Sequence, residues 1–304
     1  MRDAFIAGLV ELARKDDRIT LLTGDLGFGV VEKFSSEFPD RFWNCGVAEQ
    51  SMMSIAAGLA KSGMRPFVYS IANFPTFRCL EQIRNDVCYH DLPVTIVSVG
   101  GGLGYGTLGY THHGIEDIAA LRALPNLAIY SPADPIETKE VLTQIHNENK
   151  PAYLRLGKNG EPIIEQRTKK ELAGSIYELK GGNKLSVIAC GAIAENCLSA
   201  ANKLKNKAEI QVISVPKVKP LAAEFLIEII ESEKILVVEE HVERGGLGSA
   251  LLEEFNKLGN AKTFDHIFVK EDMISKTGSQ NYLRSLSGMD VTELENKFLE
   301  MINI

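Results

Sequence analysis

The chain has 304 residues, room for two domains of ordinary size, and its 45% hydrophobic and 24% charged content is normal for a soluble globular protein. A formal net charge of -7 argues against nucleic acid as a partner, and no apolar run approaches the ~20 residues that span a bilayer. Five cysteines (Cys45, Cys79, Cys88, Cys190, Cys197) form no CxxC pair, which points to reduced, buried thiols in a cytoplasmic protein rather than a structural zinc.

Residues 3–15 read as a helix with Phe5, Ile6, Leu9, Val10, Leu12 and Ala13 on one face, and its acids set it apart from a secretion signal. A short apolar strand, Ile19–Thr23, ends in the turn Gly24-Asp25-Leu26-Gly27. A helix over 31–38 stops at Pro39, and 41–44 is a further strand. Then comes the stretch on which the chain turns, 44–60. A small turn, Asn44-Cys45-Gly46, runs into helix formers, and from Met52 to Ala60 nearly every residue is small or apolar. That part of the helix should be buried on most sides. Glu49 stands at its mouth. The helix dipole alone favours an acid there, and spacing by itself puts that role first. At the entrance to so apolar a helix, however, a carboxylate should be partly desolvated, which favours its holding or sharing a proton.

The pattern continues with a strand at Arg65–Ile71, a helix over 74–90, a β-branched strand at 94–99, a helix over 116–124, a strand at 127–130, a helix over 135–147 and a strand at Ala152–Leu156. The polar stretch 158–182, with a basic run at 167–170, reads as an exposed connection between domains. Strands at Leu185–Cys190, 210–215, 235–239 and 262–269 then alternate with helices over 195–203, 222–232, 249–258 and 291–301. The loop Gly245-Gly246-Leu247-Gly248 precedes the third of these helices. The alternation predicts an α/β protein of two doubly wound domains, 1–165 and 183–304, each a mostly parallel sheet with helices on both faces.

The glycine-rich loop 100–106 follows a strand, where glycines let the backbone turn sharply or approach a ligand. It is not a dinucleotide fingerprint, because Thr111-His112-His113-Gly114 intervenes before any helix, and no GxxxxGK[ST] occurs. The adjacent His112 and His113 are ill placed to chelate one metal, and no acid or cysteine cluster lies at metal spacing. His112 reads equally as a proton carrier or as a loop histidine bonding to backbone. Phe67, Tyr69, Phe74 and Phe77 bracket a strand-to-helix junction. Core packing is their default role, and a planar heterocycle stacked on Phe74 is the sharper alternative.

Four stretches carry a family resemblance: LLTGDLG (21–27), FPDRFWNCGVAEQSMMSIAAGLAKSGMRPFV (38–68), THHGIEDIAALRALPNLAIYSPAD (111–134) and VVEEHVERGGLGSALLEEF (237–255). The chain resembles the C-terminal half of transketolase, meaning the pyrimidine-binding and C-terminal domains of thiamine diphosphate enzymes. The resemblance implies that Glu49 bonds the cofactor's aminopyrimidine and drives loss of the thiazolium proton. A two-carbon unit then passes from a ketose to an aldose. It further implies Phe74 under the pyrimidine ring with Ile71 and Phe77 beside it, His112 facing the reacting carbons, and Asp25 near the cofactor. Arg2 and Lys158 lie where the family places cations for a sugar phosphate, and a lysine there grips less firmly than an arginine fork. Two departures stand out. The family carries His-Asp at Gly100-Gly101 and an Asp at Leu108, residues that contact the donor's hydroxyls.

Family members anchor Mg2+ and diphosphate through a GDG…N segment that Gly24-Asp25-Leu26 does not supply. The expectation is therefore one subunit of a split enzyme. An N-terminal partner subunit would bring the metal and diphosphate site, the cofactor would lie between the chains, and the whole would form a heterotetramer inactive without its partner. By the resemblance, the C-terminal domain serves mainly in dimer packing. The rivals are a 2-oxoacid dehydrogenase β subunit or a deoxyxylulose-phosphate-synthase-like subunit with a 2-oxoacid donor, and a non-catalytic regulatory subunit. Retention of Glu49, Phe74 and His112 argues against the last.

Overall fold

The structure, a computed structural model, describes residues 1–170, 176–259 and 262–303. In the first domain, the strands Ile19–Thr23 (β1), Phe42–Asn44 (β2), Arg65–Ile71 (β3), Thr95–Val99 (β4), Ala128–Tyr130 (β5) and Ala152–Leu156 (β6) run parallel. β1, β4 and β6 are buried at every position, as apolar strands covered on both faces must be. Alternate side chains sort to the two faces. Leu22, Val68 and Ile96 pack with Met52, Met53, Ala56 and Ala60. Leu21, Phe67 and Val97 pack with Phe5, Leu9, Val141 and Leu142. The first cluster is covered by helix Glu49–Lys61, the second by helices Arg2–Ala13 (α1) and Pro135–Glu148. The helix at 135–148 has a capping Asp134 that accepts from the N–H of Ile136 and Glu137, Pro135 at its first position, and Asn149 in the left-handed conformation at its end.

The second domain holds Leu185–Cys190, Ile210–Ser214, Lys234–Glu239 and Thr263–Ile267 in parallel, with Ile176–Lys180 and Thr168–Lys170 added antiparallel at one edge. Helices Ala194–Lys203, Leu247–Lys257 and Val291–Ile302 cover it. The expected architecture of two mostly parallel sheets with helices on both faces is thus observed. Among the described residues, no helix is long and apolar enough to cross a membrane.

Two local expectations are corrected, and two elements were unread. Residues 74–90 do not form one helix. The segment winds as a 3-10 turn at Phe77–Cys79, a single α turn at Leu80–Gln82 and a π-helix at Ile83–Cys88. Pro75 has no N–H to donate and so delays the helix start. The stretch 158–182 is not a bare connection either: Ile164, Ile176, Tyr177 and Leu179 are buried, and Ile176–Lys180 is a strand. Residues 171–175 of that stretch lie outside the described residues. Finally, the strand Lys217–Lys219 leaves the second domain and pairs antiparallel with β5, closing the edge of the first sheet. Its Lys-Val-Lys sequence carries too little pattern to be read as a strand. Helix Gln280–Leu286, capped by Ser279, was also unread.

Where the connection docks, Glu137 is fully buried. Its Oε2 accepts from the N–H of Ala133 at 2.7 Å and from Ser214 Oγ at 3.1 Å. Arg167 Nη1 stands 3.7 Å from Oε1, too far for a hydrogen bond, and Asp134 lies alongside. Burial pushes Glu137 up from 4.5 to about 7. The unfolded chain therefore gives up this proton at lower pH than the folded one. Stability contributed here is present below about pH 4.5 and lost as pH rises to about 7, on the order of 3 kcal/mol in all. Glu137→Gln is expected to flatten that fall. Urea midpoints at about pH 5 and pH 8 measure it, and equal drops in both proteins would disprove it.

Candidate active site

The strand order places β2 on one side of β1 and β3 on the other, so the chain reverses direction between β1 and β3. In such sheets ligands bind outside the carboxyl ends of the strands at that reversal. The loops after β1, β3 and β4 meet there, and Glu49–Lys61 (called the central helix below) begins beside them.

Glu49 is the first residue of the central helix and only 3% exposed. Met52, Met53 and Ala56 behind it on the same helix are fully buried, as the apolar run had implied. One oxygen, Oε2, accepts from Arg78 Nη1 at 3.0 Å. The other, Oε1, faces Gly24, where an added Cβ would stand 3.6 Å away. Among the described residues no donor bonds Oε1. A cleft of about 380 Å³, lined by Val47, Ala48, Glu49, Gln50, Ser51 and Arg78, opens at this carboxylate.

Arg78 was not singled out by sequence. Its half-exposed guanidinium lies 4.2 Å above the Phe74 ring as well as against Glu49. The four-residue spacing of Phe74 and Arg78 was the available signal, but on an ordinary helix it reads as a solvated face. The His112 ring also meets Phe74, edge-on at 5.3 Å. His112 Nδ1 is 2.9 Å from Thr111 Oγ1, so its partner is a hydroxyl rather than backbone. Its neighbour His113 is fully buried with neither ring nitrogen bonded, and burial lowers its pKa. Phe67 and Tyr69 are core residues, whereas Phe74 is half-buried.

The remaining predicted residues gather around this chain of contacts. Ile71 ends β3 and is half-buried, and Phe77 is 43% exposed. Asp25 is exposed with φ 55 and exchanges two hydrogen bonds with Asn44, at 3.0 and 2.9 Å. Arg2 and Lys158 converge on Tyr105, which sequence reasoning passed over. Lys158 Nζ is 4.9 Å above its ring, and the Arg2 charge acts on its hydroxyl. Tyr105 lies 6.4 Å from His112, ring to ring, and so joins the two groups.

The His112 loop is held from both domains. Gly102 and Gly114 exchange backbone hydrogen bonds at 2.7 and 2.9 Å. Arg155 on β6 is buried. Its Nε donates to Asp117 Oδ2 at 2.8 Å, and its Nη2 donates to the carbonyls of Gly114 and, at 2.9 Å, Glu240. Glu240, in the second domain, is gripped by Arg284 through two bonds of 3.0 and 2.9 Å. The N–H groups of Val242 and Gly278 donate to Ile115 and Gly106, at 2.9 and 3.1 Å. The second domain therefore does more than pack: it braces the loop that carries His112. Its own glycine loop is closed by a protein carboxylate, because Glu239 accepts from the N–H of Leu247 and Gly248 at 2.8 Å each.

Comparison with known proteins follows the same division. The family described as transketolase, pyrimidine binding domain, matches residues 1–161, and transketolase, C-terminal domain, matches residues 174–293. A 1-deoxy-D-xylulose-5-phosphate synthase of Clostridium perfringens is 30% identical over 97% of this chain, but the chain spans only 48% of that relative's length. One of the subunits of the apulose-4-phosphate transketolase of Phocaeicola vulgatus is 35% identical over 84% of this chain and 83% of its own. A solved structure titled as a split gene transketolase, inactive beta4 tetramer, superposes with a TM-score of 0.87 at 30% identity, over 99% of this chain and 97% of that one.

Proposed function

Because this chain belongs to the transketolase family, we propose that it is the C-terminal subunit of a two-chain transketolase that moves a two-carbon ketol unit from a ketose phosphate to an aldose. The observation that carries the proposal is Glu49, a nearly dry carboxylate with one oxygen uncommitted at the reversal point of the sheet. That oxygen and the half-buried Phe74 beside it fit the aminopyrimidine of thiamine diphosphate: one would take a ring N–H and the other a ring face. Thiamine diphosphate, when bound, supplies the carbanion and the electron sink.

The chain's own residues supply the rest. Glu49 holds a proton at Oε1. Ile71, Phe74 and Phe77 provide the apolar bed, with Asp25 at its edge. His112 moves protons at the donor's oxygens, and Arg2 and Lys158 take its phosphate. An N-terminal partner subunit would hold the diphosphate and Mg2+, in keeping with one relative named as a transketolase subunit and another as a split gene product. Val47, 73% exposed, lines the cleft, and the 43% exposed Phe77 precedes Arg78 in the chain, apolar surface that such a partner would cover. Five free cysteines, four of them buried, suit the cytoplasm.

One observation favours a second reading. Arg78 places a cation beside Glu49 that could hold the carboxylate of a 2-oxoacid, as a deoxyxylulose-phosphate-synthase-like reaction would need. Incubating the chain with its N-terminal partner and either a ketose phosphate or carboxyl-labelled pyruvate separates the two. The expected result is ketol transfer from the ketose phosphate with no labelled carbon dioxide, and no turnover by the chain alone. Label released from pyruvate would establish the second reading, and turnover without a partner would refute the two-chain assignment.

A further inference from the structure

Gly100 follows β4 with φ +80, and a Cβ there would stand 2.1 and 2.2 Å from Cδ2 and Cε2 of Tyr105. The two positions exclude each other: either residue 100 carries a side chain, or the Tyr105 ring occupies that space. Residue 100 carries no side chain, and the Tyr105 ring fills the volume that one would take. The ring is wedged between His112 at 6.4 Å and the Lys158 ammonium at 4.9 Å, within the field of Arg2. Its hydroxyl makes no hydrogen bond to any described residue, and the nearby Leu108, 54% exposed, offers none to a ligand. Burial raises the pKa of Tyr105 and keeps the phenol a neutral donor. On a half-buried residue, a hydroxyl with no hydrogen-bond partner among the described residues, near a candidate proton carrier and two cations, is placed to meet a polar ligand.

We infer that Tyr105 is a specificity-determining residue whose hydroxyl bonds the donor hydroxyl midway between the reacting carbon and the phosphate, while Arg2 and Lys158 hold the donor phosphate. This rests on the two-carbon transfer reading above. The test compares D-fructose 6-phosphate with 4-deoxy-D-fructose 6-phosphate as donors, using the assembled two-chain complex. The wild type should prefer the hydroxylated donor. Tyr105→Phe, and Tyr105→Leu as a second variant, should raise its KM by ~10–100-fold with little change in kcat, so that the ratio of kcat/KM for the two donors moves toward one. An unchanged ratio, or an equal loss on both donors, overturns the inference and leaves the reaction assignment standing. Absence of transfer from either donor by the wild-type complex overturns both.

Discussion

Glu49→Gln is expected to lower kcat of the assembled complex by ~10²–10⁴-fold while leaving the fold intact. Glutamine fills the same volume and can still accept from Arg78, so the helix mouth keeps its packing. What it loses is the ability to hold a proton at Oε1, the oxygen that no described residue engages. The effect on stability should be small, because the arginine released from its ion pair has a side chain 48% exposed that water can solvate. Rate constants measured alongside the melting temperature make the test specific. An unaltered rate would end the mechanism outright, and a collapse in melting temperature would show that the residue serves the fold.

Arg155→Met carries the largest expected cost in stability. Asp117 is fully buried, and its Oδ1 has no hydrogen-bond partner, so its charge depends on Arg155 at 2.8 Å and on the Tyr153 hydroxyl. Removing the guanidinium leaves that carboxylate uncompensated and strips a donor from the carbonyls of Gly114 and Glu240. Loss of one partner of a buried pair costs ~3–5 kcal/mol, and a second substitution that removes the other charge, Asp117→Asn, should restore part of it. Denaturant unfolding of the single and double variants measures the coupling. Additive losses would mean that the two charges do not depend on one another. Because Gly114 lies two residues beyond His112, the single variant should also speed amide exchange across residues 101–114, ahead of global unfolding.

The central helix shows why part of this site could be read early. Its burial follows from a local run of small and apolar residues, and Glu49 at its start is a local fact too. So is the strand alternation that places Phe67 and Tyr69 inside while Phe74 stays half-buried beyond the end of β3. Arg78 escaped because its segment was read as a regular helix, which Pro75 and the π turn prevent. Tyr105 escaped because a ring filling the space over a glycine five residues earlier leaves no periodic trace. The three-residue strand at 217–219 escaped because its stability comes entirely from the edge it completes.

By itself, then, the chain's order of residues determined the alternation of strands and helices, the apolar seat of one acid and the family to which the whole belongs. These rest on interactions between near neighbours along the backbone. Only the tertiary structure decided that the second domain braces the His112 loop through Arg284, Glu240 and Arg155, that the chain crosses back to close the first sheet, and that Arg78 pairs with Glu49. Those contacts join residues 29 to 90 positions apart, where pairing depends on how distant segments are brought together rather than on any local pattern.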